Sequence, residues 1–373
     1  MLPWDATAMK ADPKAELARD SGLVAVSDRQ RRSDRFLETL DPYRGVVLAS
    51  HVNPDPDSLA SMLGLKALIE HRQPGKAVTM TLDGILARAE NQAMVNLLEI
   101  PLRPVEATSV SSEDALVMVD SQPHTGRRAS EAVTPVAVLD HHETGGRLDG
   151  VAYRDIRPRV GATATMVTGY LLEQDVPITE RVATALLYGI ESETNGYPRD
   201  AGSSDDGALV WLYPRADKEL LARIRHPRLP LSYFATFHHA LTNAFLYGDV
   251  VISYCGTVPQ PDLIAEIADF LIRFEEVHWA IGIGVYEGNV RLSARSKLPN
   301  GHSGEVLRAV VDGIGNAGGH DKRAGGAIAI TEDNPEAINT LLTLIRQRLL
   351  DRLGMDEQQG RRLLEACPVI HAP

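Results

Sequence analysis

The sequence predicts an α/β protein, with a mostly parallel sheet in an N-terminal domain and a smaller C-terminal α/β domain over its cleft. From residue 45 onward, short apolar runs alternate with longer segments of helical apolar spacing. A stretch rich in turn and charged residues, 198–240, then precedes a second series of apolar runs. A chain of 373 residues has room for two such domains.

The first domain is predicted from four apolar runs with the length of buried strands. These runs are GVVLAS (45–50), AVTMTLDG (77–84), ALVMVDS (115–121) and VAVLDHH (136–142). Segments with apolar residues at helical spacing follow the first and the last of them, at 58–72, 161–174 and 180–190. Strand–helix alternation of this kind favours parallel pairing, with helices packed on the faces of the sheet.

The second domain is predicted from strands at 249–258, 279–288 and 289–296, and from a helix at 306–315 that leads into a glycine-rich segment. The tail after about residue 351 is predicted to form one more helix with a frayed end. We therefore expect an N-terminal extension, a first domain, a linker, a second domain and a tail, at 1–40, 41–215, 216–245, 246–350 and 351–373.

Composition limits the classes of function. The formal net charge is −12, which argues against adhesion to long duplex nucleic acid but is compatible with a small phosphorylated ligand. Cys255 and Cys367 are the only cysteines and lie far apart, so we expect a reducing, cytoplasmic location. No run approaches 18 apolar residues, so no membrane span is expected.

Carboxylates and imidazoles follow three of the predicted strands. His51, Asp55 and Asp57 follow the first strand, Asp120 ends the third, and residues 140–142 (Asp-His-His) end the fourth. In open α/β sheets the carboxyl ends of strands form the ligand crevice. Mixed carboxylate and imidazole ligation suits manganese or another first-row divalent ion.

Each of these groups also has a simpler interpretation. Asp57 is placed to cap the helix that begins near Ser58. Asp120 is placed to open a turn, and a histidine pair such as His141-His142 is often surface or core filler. The coincidence of all of them at strand ends favours a metal site, but the residues alone leave both interpretations open.

Seven segments resemble, in order, the motifs of the DHH phosphoesterases with their associated C-terminal domain. They are HVNPDPDSLAS, MVDS, VLDHHETGG, YRDIRPRVGATATMV, YGIESETNGYPR, RLSARS and GNAGGHDKRAGGAI. The resemblance covers roughly residues 44–330. It is closest to shorter members of the oligoribonuclease and phosphoadenosine-phosphate phosphatase type.

The resemblance implies two divalent metal ions, of the manganese type, and assigns their ligands. His51 and Asp55 would hold the first ion, Asp57 and His141 the second, and Asp120 would bridge both. His142 would face the substrate as an acid or phosphate contact, and Asp140 would orient the histidine pair. The fourth motif usually supplies an aspartate, where this chain has Glu193, with Glu191 as a competitor. Pro56 replaces the usual glycine.

The resemblance also implies substrate contacts in the second domain, from Arg295, Gly318, Gly319 and His320. Glycine amides approach phosphate closely, and arginine grips it bidentately. Taken without the resemblance, these glycines are typical of a turn and Arg295 of a solvated charge.

The function that we expect is two-metal hydrolysis of short nucleotides: di- or oligoribonucleotides and linear or cyclic dinucleotides. Phosphatase activity on 3′-phosphoadenosine phosphate and hydrolysis of polyphosphate or pyrophosphate are alternatives. A metal-impaired, nucleotide-binding sensor is the alternative of another class. The partner that we expect is a short nucleotide or phosphorylated small molecule, without duplex nucleic acid or membrane. The sequence leaves the oligomeric state open, a homodimer included.

Overall fold

The computed structural model describes residues 31–86, 88–123, 133–143, 147–194, 202–319, 321–330, 334–356 and 360–364. The chain divides into two compact units, with the boundary between Pro227 and Arg228. That boundary falls inside the segment 216–245, for which a linker is predicted. No helix in the described ranges is both long enough and apolar enough to cross a bilayer.

The first unit is built on a six-stranded sheet in which every neighbouring pair is parallel. The strands are β1 (Gly45–Ala49), β2 (Ala77–Leu82), β3 (Leu102–Pro104), β4 (Asp114–Val119), β5 (Ala137–Asp140) and β6 (Tyr153–Ile156). Their order is β3-β2-β1-β4-β5-β6, so the direction of winding reverses between β1 and β4. In open α/β sheets ligands bind outside the carboxyl ends of the strands at this reversal.

Seven α-helices are described in the first unit. They are α1 (Arg32–Leu40), α2 (Pro56–Arg72), α3 (Ala89–Leu97), α4 (Thr163–Glu173), α5 (Glu180–Thr194), α6 (Ser203–Leu212) and α7 (Lys218–Arg225). Each contributes to one large apolar core that also takes alternate side chains of the sheet, such as Val46 and Leu48. Val47 and Ala49 face the other side, in a small cluster with Leu116. The described helices therefore pack on one face of the sheet, and not on both.

The second unit is built on a seven-stranded mixed sheet in the order β11-β12-β10-β9-β8-β7-β13. The strands are β7 (Ala244–Tyr247), β8 (Val250–Thr257), β9 (Trp279–Tyr286), β10 (Asn289–Ser296), β11 (Asn316–Gly319), β12 (Arg323–Ala329) and β13 (Arg361–Arg362). The helices are α8 (Leu231–Thr242), α9 (Asp262–Leu271), α10 (Ser303–Val311) and α11 (Pro335–Leu353). Alternate residues of the sheet enter two separate cores, so both of its faces are covered.

The predicted fold class is confirmed: a parallel-sheet α/β unit is followed by a second α/β unit. Two boundaries need correction. The extension predicted for 1–40 includes α1, whose Phe36 and Leu40 are fully buried in the first core. Where a helix is predicted after about residue 351, the described residues of the tail form the end of α11 and the strand β13, which pairs with β7. Both corrections concern short segments that tertiary contacts stabilise.

Candidate metal centre

The loop after β1 brings three of the predicted ligands to the sheet edge. Asn53, in the left-handed conformation with φ +57°, fixes the path of this loop. Its backbone N–H donates to Asp83 O at 2.8 Å, and its side-chain oxygen accepts from Ile85 N at 2.8 Å. These bonds join the loop after β1 to the loop after β2 and position His51 and Asp55 beside the reversal point.

The helix cap at α2 falls on Asp55 and not on Asp57. Asp55 has extended backbone angles, and its Oδ1 accepts from Ser58 N at 3.0 Å. Pro56 is the first residue of the helix, a position that suits proline because that N–H has no partner within the helix. Pro56 is therefore compatible with the start of this helix.

Asp57, in the first turn of α2, is fully buried and faces the N-terminus of α4. Its Oδ2 accepts from Thr163 N and its Oδ1 from Ala164 N, both at 2.7 Å. Two amides at a helix N-terminus favour a negative charge at this position. His141 Nε2 lies 3.8 Å from Asp57 Oδ2, so the carboxylate also faces the histidine pair.

Asp120 lies at the centre of the cluster, directly after β4, with φ +55°. Its two oxygens face different neighbours. Oδ2 lies 3.7 Å from His51 Nε2. Oδ1 lies 3.6 Å from His141 Nε2 and 3.8 Å from His142 Nδ1.

Two groups of potential ligand atoms share this carboxylate. His51, Asp55 and Asp120 form one group, and Asp120, His141 and His142 form the other, with the ligand atoms of each group within 4.8 Å of one another. A shared carboxylate between two such groups is the arrangement that a bridge between two cations requires.

The ring of His141 is oriented by the backbone. Its Nδ1 lies 3.2 Å from Val160 O, a carbonyl that can only accept, so Nδ1 carries the proton and Nε2 presents its lone pair to Asp57 and Asp120. A hydrogen bond at the second ring nitrogen is the usual way to orient a metal-binding histidine.

Asp140 orients only one member of the histidine pair. Its Oδ1 accepts from His142 N at 3.1 Å and contacts His142 Nδ1 at 2.8 Å. Its Oδ2 accepts from Gln122 Nε2 at 2.8 Å. The expectation that Asp140 orients both histidines is therefore corrected, because His141 is oriented by Val160. The side chain of His142 is 42% exposed, so a ligand can reach it.

Glu193 and Glu191 have different surroundings. The carboxylate of Glu191 is paired with Arg225, whose Nε donates to it at 3.1 Å. The charge of Glu193 acts on Asp57 and helps to raise the pKa of that carboxyl. Gly189, one helical turn before Glu193, lets α5 lie close to the beginning of α2, because a Cβ at this position would lie only 3.0 Å from Pro56 O. The structure thus directs Glu193, and not Glu191, towards the site.

The carboxylates are crowded enough to disturb one another. Burial, followed by the charges of Asp120, Asp55 and Glu193, raises the pKa of Asp57 well above its ordinary value. Burial and the charge of Asp55 likewise raise the pKa of Asp120, against the opposing effect of the three histidines. Burial also acts to raise the pKa of Asp55, but the hydrogen bond and charge of His51 outweigh it and lower that pKa.

This donor set fits divalent cations. Carboxylate oxygens and imidazole nitrogens are ligands of manganese and related ions. Buried carboxylates at such short range repel each other when ionised, and positive charge between them would relieve that repulsion.

In the second unit, Arg295 forms an ion pair within the protein, whereas the prediction had it bind a substrate phosphate. Its side chain is 7% exposed and paired with Asp269, to whose oxygens Nε and Nη2 donate at 2.5 and 3.3 Å. Nη1 donates to Ser293 Oγ and to Ala294 O. Because Nε and Nη2 already donate to the carboxylate of Asp269, they are not available to donate two hydrogen bonds to a phosphate.

The glycines predicted to approach a phosphate lie in a strand and not in a plain turn. Gly318 and Gly319 end β11 and pair with Gly325 and Ala324 of β12. Gly319 has φ +147°, and a Cβ there would lie 2.4 Å from Arg323 O, so the position requires glycine. His320 lies outside the described residues.

The sequence analysis did not identify the residues that position the proposed metal ligands through hydrogen bonds. Ser58 and Thr163 donate hydroxyl hydrogen bonds to Asp120, at 2.7 and 3.0 Å. Asp205, also fully buried, accepts from Gly161 N at 2.9 Å and from Thr165 Oγ1 at 2.6 Å, and so fixes the turn that opens α4. The sequence pattern that points to Ser58 and Thr163 is a hydroxyl residue in the first turn of a helix. Asp205 is remote in sequence and had no such pattern.

Comparison with known proteins connects this geometry to a family. The sequence model of the DHH family, N-terminal domain, matches residues 45–190. An uncharacterized protein of Methanocaldococcus jannaschii is 29% identical over 321 residues, which cover 84% of this chain and 65% of that protein.

Two further relatives match smaller parts of the chain. A probable bifunctional oligoribonuclease and PAP phosphatase of Streptococcus mutans is 24% identical over 45% of this chain and 52% of its own length. A probable manganese-dependent inorganic pyrophosphatase of Lactococcus lactis is 25% identical over 40% of this chain and 48% of its own length. The chain thus spans about half to two thirds of the length of these three relatives.

Among solved structures, an exopolyphosphatase-related protein from Bacteroides fragilis has a similar fold. The TM-score is 0.66 at 14% identity, over 88% of this chain and 98% of that one. At this identity the similarity concerns the fold alone.

Proposed function

Residues 45–190 form a domain of the DHH family, and on that basis we propose that the chain is a divalent-metal phosphoesterase that hydrolyses short nucleotides. The observation that carries the proposal is Asp120, whose two oxygens are shared between two groups of potential ligands. The ligands would be His51 and Asp55 at one position, with Asp120 as bridge, and the set Asp57, His141 and Glu193 at the other.

Two divalent ions bound there would supply a hydroxide nucleophile at neutral pH and stabilise charge on the attacked phosphoryl group. The chain's own residues would complete the chemistry. Asp140 holds Nδ1 of His142, and a carboxylate in this position stabilises the imidazolium form. The exposed His142 ring is therefore suited to bind a phosphoryl oxygen or to donate a proton to the leaving oxygen.

Two relatives support this class of substrate. The activities for which the Streptococcus and Lactococcus proteins are named both break bonds at phosphorus, in nucleotides and in pyrophosphate. The net charge of −12 favours a small substrate over a long polyanion. We propose short nucleotides as the main substrates, with manganese as the ion and the Gly318-Gly319 amides and His320 as contacts for the non-scissile end.

The test is phosphate or nucleotide release from a panel of linear and cyclic dinucleotides, trinucleotides, 3′-phosphoadenosine phosphate and pyrophosphate. We expect manganese-dependent turnover of the short nucleotides that is lost with a chelator and in Asp120→Asn. Preferred turnover of pyrophosphate would favour the second candidate, which the Lactococcus relative supports. Tight nucleotide binding without turnover of any substrate would refute an enzyme and indicate a sensor.

A further inference from the structure

Two residues make the same pair of contacts on opposite sides of Asp120. Ser58 donates its backbone N–H to Asp55 Oδ1 at 3.0 Å and its hydroxyl to Asp120 Oδ2 at 2.7 Å. Thr163 donates its backbone N–H to Asp57 Oδ2 at 2.7 Å and its hydroxyl to Asp120 Oδ1 at 3.0 Å. Each residue therefore ties one outer carboxylate to a different oxygen of the central one.

Both residues are fixed in place. Ser58 and Thr163 are fully buried, each in the first turn of a helix, and the two helices, α2 and α4, pack against each other. A buried hydroxyl that lost its acceptor would cost free energy. The hydroxyl bonds to Asp120 therefore persist in the folded chain and set the orientation of its carboxylate plane.

The contacts divide the cluster into two halves. Oδ2 of Asp120, with Ser58, lies on the side of His51. Oδ1, with Thr163, lies on the side of His141. In this arrangement both hydroxyls have an acceptor, and each oxygen lies beside its own imidazole.

We infer that Ser58 and Thr163 are positioning residues that assign one oxygen of Asp120 to each of two metal positions. The inference rests on the proposed function, because it takes the two ligand groups to hold two ions. Ser58 serves the position of His51 and Asp55, and Thr163 serves the position of Asp57 and His141. Loss of one hydroxyl therefore weakens one position and spares the other.

The test measures Mn²⁺ binding to the full chain by calorimetry, with the bound ions counted by elemental analysis. Ser58→Ala and Thr163→Val remove a hydroxyl and keep the backbone N–H that holds the outer carboxylate. Loss of a group that orients a ligand typically lowers metal affinity about 10- to 100-fold. We expect such a loss at one of two ions in each variant, with little change at the other.

A second set of variants identifies which ion is affected. His51→Ala removes a ligand of the first position, so the remaining ion reports on the second. In that background Thr163→Val should weaken the remaining ion at least about tenfold, and Ser58→Ala should change it less than about twofold. The opposite result would overturn the assignment of oxygens.

Two controls separate orientation from general stability. Thr163→Ser keeps the hydroxyl and should restore binding of both ions. Thr168→Val removes a fully buried hydroxyl one turn further along α4, where it donates to Ala164 O at 2.7 Å, and should leave both affinities unchanged. If Thr163→Val melts at a lower temperature than Thr168→Val, the smaller Thr163→Ala replaces it.

The outcomes distinguish this inference from the proposed function. Equal weakening of both ions in each variant, or wild-type affinities in both, would refute the positioning role. A wild-type chain that binds one ion and hydrolyses dinucleotides would refute the inference alone. Site-selective weakening in a chain that hydrolyses nothing on the panel would refute the proposed function alone.

Discussion

At the scale of single residues, Asp120 combines an unfavourable backbone conformation with an unfavourable charge. Its φ of +55° is uncommon for any residue other than glycine, though aspartate and asparagine tolerate it best. Burial and the charge of Asp55 raise the pKa of its carboxyl, which means that the ionised form is disfavoured in the folded chain. Such unfavourable features persist in proteins chiefly at functional sites.

The first prediction follows from this charge. Asp120→Asn keeps the shape and the tolerance for positive φ but removes the carboxylate. Without metal at neutral pH, we expect the variant to unfold at a higher temperature than the wild type, because a disfavoured buried charge is gone. Thermal unfolding with a chelator and then with Mn²⁺ tests this: Mn²⁺ should raise the midpoint of the wild type only. A variant less stable than the metal-free wild type would contradict the interpretation.

The second prediction concerns the two glutamates at the end of α5. Glu193→Gln should weaken one bound ion, because its charge acts on Asp57. Glu191→Gln should leave the metal content unchanged and lower the melting temperature slightly, because it weakens a partly exposed pair with Arg225. Elemental analysis and thermal unfolding of both variants provide the comparison. Metal loss in Glu191→Gln alone would show that Glu191, and not Glu193, matches the aspartate of the fourth motif.

The third prediction concerns Cys255, which is 2% exposed. Burial raises the pKa of its thiol to about 12. The reactive thiolate is then about one part in 10⁴ at pH 8 and increases only as the pH approaches that pKa. In a Cys367→Ser variant, iodoacetamide should leave the native chain unlabelled at pH 8 and label it once guanidinium unfolds it. Rapid labelling of the native chain would show that β8 opens easily.

Residue identities could be predicted where a short motif fixes them. His51, Asp55, Asp57, Asp120 and His141 lie together as expected, because the carboxyl ends of parallel strands meet at one edge of the sheet. Arg295 could not be assigned in this way. Its partner Asp269 is on another element, and no local pattern shows that the two side chains pair.

At the scale of elements, three of the strands that sequence analysis missed lack the features on which it depends. β3 is three residues long, and β13 is two. The exposed edge strand β11 is made of Asn-Ala-Gly-Gly, which has no apolar alternation. Such strands form because neighbours already present in the sheet pair with them, and one sequence does not reveal that pairing. The central strands β1, β4 and β9 were predictable because burial on both faces selects continuous apolar runs.

The fourth prediction concerns the pair that joins β10 to α9. Arg295→Met should destabilise the second unit by about 2 kcal/mol, because a charged hydrogen-bonded pair is lost while Asp269 remains partly exposed. Metal content, which depends on the first unit, should not change. Urea unfolding with elemental analysis measures both quantities, and Asp269→Asn is the matched control for the same pair. A variant of unchanged stability whose Michaelis constant rises steeply would restore Arg295 as a substrate contact.

At the scale of the whole molecule, all of the proposed metal ligands lie in the first unit. That unit has a large core of its own, to which α1 and five of the six strands contribute buried residues, while Leu102 of the short edge strand β3 packs against it. The second unit has two separate cores. Each unit therefore has the buried apolar surface that independent folding requires.

The fifth prediction separates the units at their boundary. A chain of residues 31–227 should fold and bind Mn²⁺ with nearly the affinity of the full chain. If the second unit holds the non-scissile end of the substrate, as we propose, the shortened chain should have a much higher Michaelis constant for dinucleotides. Calorimetry and steady-state kinetics on the two chains test this. Equal kinetics would show that the second unit is not the substrate clamp.

The position of Ser58 and Thr163 in first turns has a consequence for how the molecule melts. Helix ends open locally at a much lower free energy than a sheet core. Partial opening of α2 or α4 would therefore release Asp55 or Asp57 while the apolar core remains intact. Two bound ions, one on each oxygen of Asp120, would each hold one helix end against this central carboxylate, since each ion binds well only when its own helix end is closed. Amide exchange in these two turns should then slow on metal binding far more than exchange in β1 or β4.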